Sequence, residues 1–226
     1  MIHSHWCLVT RPDGTTWPLV SQTGSRPYQR GTALSCIPVK QVELQRLLCG
    51  RWMKTLVLGC GLKKPDGSIG IDMNPATTAD ILYDLNCTPY PLKADYFERI
   101  ICHDILEHLD NIIAVMQEIH RIGAPGALVD IKTPHFSSIL SWNDPTHKHH
   151  FSRTSFEYFT NAPDRWRTQF YTREKFAALK QEITFTRAPP SRLGQYLYSL
   201  SPRLYEHHFA WIFPAKGLHV VLQILK

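Results

Sequence analysis

Residues 53–72, MKTLVLGCGLKKPDGSIGID, decide the fold of this chain. A short apolar run, Thr55–Leu58, is followed at once by Gly59-Cys60-Gly61, and a second apolar run ends in Asp72. Such uninterrupted runs are typical of strands buried on both faces of a parallel sheet. Glycines permit the positive φ of a tight turn and let the backbone pass close to a ligand. The stretch therefore predicts two parallel strands, the second over 68–71, with a ligand-binding turn after the first.

Downstream, further short apolar runs alternate with helical periods. Strands are predicted at 81–83, 100–102 and 127–131, a helix is predicted over 112–122, and an antiparallel strand pair is predicted from 182–187 and 218–225. The helix ends at Gly123, and Pro125-Gly126 is predicted to turn the chain. The fold class that follows is α/β: a mostly parallel sheet with one antiparallel edge strand and helices on both faces.

The chain divides into an extension and one domain. Residues 53–226 are short enough for a single core, because domains commonly reach ~250 residues. Within this domain, the polar and His-rich segment around 134–160 is interpreted as a lid over the substrate, and 187–214 as an insertion. Residues 1–52 carry turn signals and one short helical period over 39–48, so they form a poorly specified extension. Because Met53 directly precedes the first strand, we also consider that native translation begins there.

Composition bounds the class of protein. Hydrophobic residues make up 43% of the chain, and no apolar run approaches the ~20 residues of a membrane-spanning helix. The six cysteines are scattered, without the framework of small secreted domains. We therefore expect a soluble, cytoplasmic protein with reduced thiols.

Charge is distributed unevenly along the chain. Residues 141–226 hold twelve basic and six acidic side chains, whereas 53–140 hold seven and eleven. A basic lobe favours an anionic substrate, although a solvated basic surface is at least as good an interpretation. Arg165-Trp166-Arg167, with Phe170 and Tyr171, offers groups that stack on bases, but aromatic residues at this density more often build a core edge. Nucleic-acid binding is therefore ranked low.

Polar residues stand at the predicted strand ends. Asp72 ends the second strand, where a carboxylate accepts hydrogen bonds from both hydroxyls of a ribose. Asp84 and Leu85 follow the third strand, where a carboxylate accepts a hydrogen bond from the exocyclic amine of adenine. His103 follows the fourth strand and precedes a helical stretch. Because the carboxyl ends of parallel strands meet at one edge, these residues predict a nucleoside site there.

The order and spacing of these elements resemble the small-molecule type of class I S-adenosylmethionine-dependent methyltransferases. The matching elements are Val57-Leu58-Gly59-Cys60-Gly61, Gly70-Ile71-Asp72, Asp84-Leu85, Asp104-Ile105-Leu106-Glu107-His108-Leu109 and the helix end with its Pro-Gly turn over 119–127. They span about 53–133, and the stretch from there to about 159 is similar to one branch of the family. The resemblance implies a Rossmann-like class I methyltransferase sheet that binds S-adenosylmethionine and methylates a small or glycan-like acceptor.

The resemblance also implies which residues contact the cofactor. Gly59, Cys60 and Gly61 would lie near its methionine part, Asp72 on its ribose and Asp84 near its adenine. Met73, Leu85 and His103 complete the implied contacts.

Two departures from the family pattern support an alternative. Val57 stands where the family has an acidic residue, and only 62–67 separates the glycine turn from the next strand, too few residues for a crossover helix. The alternative is a degenerate relative that binds the cofactor or a partner without turnover.

Histidines are the candidate bases for catalysis. Methyl transfer depends chiefly on aligning its two reactants, and a base that takes the acceptor's proton is optional. His103, His135 and His147 are the candidates, and the last two are favoured because they lie in the predicted lid. His108 is interpreted as a cap or a packed histidine rather than as a catalytic group.

The histidine cluster of the lid raises the question of a metal. His147-Lys148-His149-His150 supplies imidazoles, which transition metals favour as ligands. Lys148 would oppose a cation, and no Cys or carboxylate partner has ligand-like spacing. We therefore expect no metal site from the sequence.

Overall fold

The computed structural model describes residues 54–160 and 172–226. The strands are β1 (Thr55–Leu58), β2 (Ile69–Asp72), β3 (Ile81–Leu82), β4 (Phe97–His103), β5 (Gly123–Pro134), β6 (Lys175–Thr184) and β7 (Gly217–Leu225). The longer helices are α1 (Ile112–Ile122) and α2 (Pro189–Leu200), and shorter helical turns cover Leu106–His108, Ile139–Ser141, Ser155–Phe159, Pro202–Leu204 and Tyr205–Phe209. The predicted extension at 1–52 and the aromatic and basic cluster at 165–171 lie outside the described residues.

The seven strands form one sheet in the order β3-β2-β1-β4-β5-β7-β6. Strands β1 to β5 pair in parallel, and β7 runs antiparallel to both β5 and β6. The predicted mostly parallel sheet with an antiparallel pair near one edge is thus confirmed. The reversed strand, β7, lies one position inside the edge, between β5 and β6. The strand order reverses between β1 and β4, which is where ligands bind in open α/β sheets.

The predicted starts of two strands, β5 and β6, are wrong. Strand β5 begins at Gly123 and not at 127, so Pro125-Gly126 lies inside the strand and not in a turn before it. There Phe97 pairs with Gly123 and Arg99 pairs with Leu128, so residues 124–127 form a bulge. Pro125 and Gly126 pair with neither β4 nor β7, and Gly126 has a φ of 79°, so the predicted turn is accommodated as a bulge within the strand. Strand β6 begins at Lys175, well before the predicted 182, because it is an edge strand whose exposed residues do not alternate cleanly.

The core lies mainly on one face of the sheet. In β1, Leu56 and Leu58 belong to the large core that also includes the apolar side of α1, namely Val115, Met116, Ile119 and Ile122. We call this side the main-core face. Val57 points the other way, where it forms a small cluster with Cys60, Ile101 and the partly buried Ala79 among the described residues. We call that side the second face.

The imbalance follows from the connections between strands. The chain from β1 to β2 and from β2 to β3 contains no helix. Right-handed crossovers would place helices from these connections on the face opposite α1. The predicted loss of the first crossover helix is confirmed, and the second face of β5 shows the effect: Leu128 is 38% exposed, whereas its neighbour Val129 is fully buried.

The predicted insertion at 187–214 is helical. Its α2 helix packs closely, because a Cβ added to Gly194 would lie 2.7 Å from the carbonyl oxygen of Phe213. Tyr205 is fully buried, and its hydroxyl donates a hydrogen bond to Phe213 O at 2.8 Å. Within 54–160 and 172–226, no helix has the length and apolar character needed to cross a membrane. Among the cysteines of these ranges, Cys60 and Cys102 are buried free thiols.

Candidate functional site

The glycine turn, Gly59-Cys60-Gly61, packs onto the end of β2. Gly59 and Cys60 both donate their backbone N–H to Ile71 O, at 2.8 and 3.2 Å. Both glycines have positive φ, of 63° and 55°. A Cβ on Gly59 would lie 2.6 Å from the Ile105 side chain, whereas one on Gly61 would meet nothing within 4 Å. The turn is therefore held tightly at Gly59 and faces open space at Gly61.

Asp72 ties this turn to the loop after β2. One carboxylate oxygen accepts the N–H of Gly61 and the other accepts the N–H of Asn74, both at 2.9 Å. Thr78 also closes on the turn, since its N–H and hydroxyl donate to Gly61 O at 2.8 and 3.1 Å. A carboxylate offers about four lone-pair directions, so Asp72 keeps acceptor capacity for ribose hydroxyls.

The other predicted cofactor contacts differ in accessibility. Met73 is 61% exposed beside Asp72, so its thioether side chain is free to pack on a ligand. Burial raises the pKa of the Cys60 thiol, which keeps it neutral. Asp84 accepts hydrogen bonds from the N–H and side-chain amide of Asn86, at 2.9 and 3.1 Å. Leu85 is buried in the main core, so only its backbone could contact a ligand.

His103 lies in a charged cluster on the second face. Its Nε2 is 3.3 Å from Asp130 Oδ1, which also bonds His219 Nε2 at 3.0 Å. The other oxygen of Asp130 accepts from the Arg99 guanidinium at 2.8 Å. Burial by itself would raise the pKa of Asp130, but these three partners outweigh it and lower that pKa. The structure therefore places His103 in contact with Asp130 rather than with the glycine turn.

A cleft of about 390 Å³ opens over the other half of the carboxyl edge. We call it the basic cleft; it is lined by Asp104, Lys132, Thr133, Pro134, Leu140, Thr184, Phe185, Lys216, Gly217, Leu218 and His219. Two lysines and one histidine face a single carboxylate, Asp104, so the lining favours an anion. Asp104 has a φ of 50°, and its N–H donates to Lys132 O at 2.8 Å. Sequence reasoning missed Lys132, Lys216 and His219, because only the β5–β7 pairing brings them together.

His135 joins the predicted lid to the insertion. Its side chain is fully buried, and its Nε2 lies 3.2 Å from Glu206 Oε1. Its Nδ1 accepts the N–H of Ser137 at 3.2 Å, so the ring proton is on Nε2 and is donated to Glu206. Glu206 also accepts the N–H of Arg153 at 2.8 Å. Both ring nitrogens of His135 are thus engaged within the protein.

His147 reaches the loop that follows β4. Its ring centroid lies 4.6 Å from that of His108, in an edge-on contact. Next to them stands Glu107, whose residue is 1% exposed and whose two carboxylate oxygens have no hydrogen-bond partner. Burial raises the pKa of Glu107 and lowers that of His108. Sequence reasoning named His147 but missed Glu107, although an acidic residue between Leu106 and Leu109 was a signal.

The rest of the histidine cluster diverges. His150 stacks on Trp142 with ring centroids 3.7 Å apart and bonds the Ser141 hydroxyl through Nδ1 at 2.8 Å. Lys148 pairs with Asp110 at 2.7 Å. The four consecutive residues 147–150 therefore do not face one common point.

Comparisons with known proteins gave structural likeness only. No protein-family model matches the chain, and no curated protein matches it. Among solved structures, the chain is similar to an S-adenosylmethionine-dependent methyltransferase from Archaeoglobus fulgidus (15% identity, TM-score 0.49, covering 81% of this chain and 91% of that one). It is also similar to one from Mesorhizobium loti, with 14% identity and a TM-score of 0.46, over 80% of this chain and 95% of that one. A third similar structure is phosphoethanolamine N-methyltransferase 2 of Haemonchus contortus in complex with phosphomonomethylethanolamine and S-adenosylhomocysteine. Its identity is 10% and its TM-score 0.44, over 82% of this chain and 52% of that one.

These likenesses are too distant to assign the fold, which follows from the strand order instead. The order β3-β2-β1-β4-β5-β7-β6, with β7 alone reversed, puts the glycine turn and Asp72 at the carboxyl edge beside the switch point. The chain therefore has the Rossmann-like fold of class I S-adenosylmethionine-dependent methyltransferases.

Proposed function

We propose that this protein transfers the methyl group of S-adenosylmethionine to a small or glycan-like acceptor that carries negative charge. One observation carries the proposal: the glycine turn, crosslinked by Asp72, occupies one half of the carboxyl edge, and the basic cleft opens over the other half. A nucleoside cofactor and an anionic acceptor would thus meet above β1 and β4.

The residues around the glycine turn fit the cofactor. Gly61 faces open space at positive φ, Asp72 keeps free lone pairs and Met73 is exposed. Asp72 would hold the ribose and Asp84 the adenine amine, while the turn lies along the methionine part. When bound, the cofactor supplies a methyl group on a sulfonium, which is an electrophile. Where the family has an acidic residue, this chain has Val57, which packs against Ile101. The acidic contact to the methionine part of the cofactor is therefore missing, and weaker binding is expected.

The basic cleft would align the acceptor. Lys132 and Lys216 attract an anionic group, and Leu140 and Phe185 shield one side from water. Holding two reactants in line can lower a barrier by ~7 to 11 kcal/mol, so alignment suffices for most of the rate. The base roles of His103, His135 and His147 stay predictions. The geometry disfavours His135, because both of its ring nitrogens are hydrogen-bonded within the protein.

The degenerate reading remains the second candidate function. The helix-less connection from β1 to β2 favours it, because a helix N-terminus there would stabilise the carboxylate of the cofactor. This candidate binds the cofactor or a partner and shows no turnover with any acceptor.

Calorimetric titration with S-adenosylmethionine tests the cofactor site on the full chain. We expect micromolar binding, and Asp72→Ala is expected to weaken it at least tenfold, because hydrogen bonds to a charged group contribute about 1.5 to 3 kcal/mol. Asp66→Ala is the control, since Asp66 is an exposed acid in the same connection and is expected to leave binding unchanged. Equal affinity of the Asp72→Ala variant and the unaltered chain would contradict the site.

An activity assay separates the two candidate functions. Release of S-adenosylhomocysteine is measured with a panel of sugar phosphates, carboxylated sugars and neutral sugars. Turnover confined to the anionic acceptors, and reduced by Lys132→Ala with Lys216→Ala, is the expected result. Cofactor binding without turnover on any of them would favour the degenerate relative.

A further inference from the structure

We propose that Glu107, His108 and His147 bind a divalent transition-metal ion. One ligand atom from each of these residues lies within 4.8 Å of the others. Glu107 and His108 come from the helical turn after β4, and His147 comes from the predicted lid. Sequence reasoning looked for a metal within the cluster at 147–150, whereas the structure combines one of its members with the loop after β4.

The backbone builds this convergence into the fold. The N–H groups of Lys148 and His149 donate to Glu107 O, at 2.7 and 3.2 Å. These hydrogen bonds hold the lid segment directly against the turn that carries Glu107 and His108. The three side chains therefore meet because backbone hydrogen bonds join the two segments, and not through a chance rotation of one exposed side chain.

The Glu107 carboxylate is the observation that points to a ligand. Both of its oxygens are buried and lack a hydrogen-bond partner. An unpaired buried carboxylate is costly, and proteins normally pair such a group or use it to coordinate a metal. None of the ion pairs among the described residues includes Glu107, so a bound cation is the charge that would satisfy it.

The hydrogen bonds of His108 and His147 fix the same tautomer in both rings, with the proton on Nδ1. Thr146 donates its hydroxyl proton to Asp144 at 2.6 Å, so its oxygen accepts from His108 Nδ1 at 2.9 Å. His147 Nδ1 lies 3.2 Å from Ser141 O, a carbonyl that can only accept. Both rings thus carry their proton on Nδ1 and leave the Nε2 lone pair free. Outer partners that fix the tautomer in this way are typical of metal-binding histidines.

The donor set defines the class of metal. Two imidazole nitrogens and one carboxylate oxygen suit zinc, manganese or ferrous iron and leave positions open for a further ligand. Ligand atoms around tetrahedral zinc are roughly 3.4 Å apart, given bonds of about 2.1 Å, so the three side chains close in slightly on binding. Through an open position the ion would hold an oxygen atom of the acceptor and lower its pKa, and this role would replace the predicted base role of His147, whose Nε2 would be bound to the ion. That role rests on the proposed function, whereas binding of the ion does not.

The test uses the full chain after removal of metals by a chelator. Zinc binding is measured by calorimetry, and cobalt binding by the visible absorption bands that depend on ligand geometry. We expect one equivalent at this site, and we expect Glu107→Gln and His147→Ala each to lower the affinity at least tenfold and to change the cobalt spectrum. His150→Ala is the matched control, because His150 belongs to the same cluster but stacks on Trp142. It is expected to bind as the unaltered chain does.

Thermal melts keep the outcome interpretable. Zinc is expected to raise the Tm of the unaltered chain and of His150→Ala, and not that of Glu107→Gln, while circular dichroism checks that each variant is folded. Equal zinc affinity in the unaltered chain, Glu107→Gln and His147→Ala would overturn the site, as would the absence of any binding. Titration with S-adenosylmethionine in the same samples separates the proposals: metal binding without cofactor binding contradicts only the proposed function, and the reverse contradicts only the metal site.

Discussion

Gly59 and Gly61 show how residues of one type, two positions apart, are required for different reasons. Both adopt positive φ, which costs an L-residue roughly 1 to 2 kcal/mol. Only Gly59 is also confined by a neighbour, the side chain of Ile105, which lies in the loop after β4. The glycine at 59 therefore serves packing between two loops, and the glycine at 61 serves the turn itself.

This difference predicts unequal losses of stability. Gly59→Ala is expected to lower the free energy of unfolding by about 2 to 4 kcal/mol, because strain in φ adds to overpacking against Ile105. Gly61→Ala is expected to cost only about 1 to 2 kcal/mol, from strain alone. Urea denaturation of both variants measures the losses. A loss for Gly61→Ala as large as that for Gly59→Ala would contradict the packing argument.

At the scale of elements, the lid and the insertion are joined through a buried polar contact. Glu206, in the helical segment Tyr205–Phe209, accepts hydrogen bonds from His135 and from the backbone of Arg153. Burial by itself would raise the pKa of Glu206, but these hydrogen bonds and the nearby charge of the Arg153 side chain lower it below the ordinary 4.5. The carboxylate form therefore stabilises the folded chain, and this contact holds His135 in place.

The pKa shift sets the pH dependence of that stabilisation. A lowered pKa in the folded state contributes stability that is complete above the ordinary value of 4.5 and is lost as the pH falls through the lowered value. Glu206→Gln is thus expected to cost about 1.5 to 3 kcal/mol at pH 7, a difference that shrinks below pH 4.5. Urea denaturation between pH 7 and pH 3 measures it. Glu182→Gln is the control, because Glu182 is an exposed acid on the edge strand. A cost for Glu206→Gln that stays constant through the acid range would refute the linkage.

At the scale of the whole molecule, the sheet is packed mainly on one face. The helix α1 covers the main-core face, whereas the connections on either side of β2 have lost their helices. Polar and charged residues such as Arg99, Asp130 and His219 occupy much of the second face and satisfy each other. The molecule thus places most of its apolar stabilisation on one side of the sheet and leaves a charged surface on the other.

Two adjacent residues of β5 test this asymmetry. Val129→Ala is expected to lower the free energy of unfolding by about 2 to 3 kcal/mol, since it removes two buried methyl groups and leaves a cavity. Leu128→Ala removes a larger side chain but is expected to cost less than about 1 kcal/mol, because Leu128 faces the open side. Both are measured by urea denaturation. Equal costs would show that the second face is packed as tightly as the first.

The sequence by itself determined the elements whose signals are local. Helix α1 has the predicted bounds, because its apolar residues recur at helical spacing and Asn111 caps its start by accepting the N–H of Ala114. Strand β1 and the glycine turn were predicted for the same reason: a short apolar run followed by glycines needs no distant partner to be recognised. Asp72 at the end of β2 was likewise found from its position in the pattern.

Only the tertiary structure decided what those elements bring together. Pairing of β4 with Gly123 and with Leu128 enclosed Pro125-Gly126 in a bulge of β5, and pairing of β5 with β7 placed His219 beside Asp130. Glu107 and His147 are forty residues apart in sequence, and the hydrogen bonds of the lid backbone to Glu107 O make them neighbours. The periodicity and spacing of apolar residues indicate which face of a helix or strand a side chain occupies. They do not tell what stands opposite it, because that depends on the order in which the strands assemble.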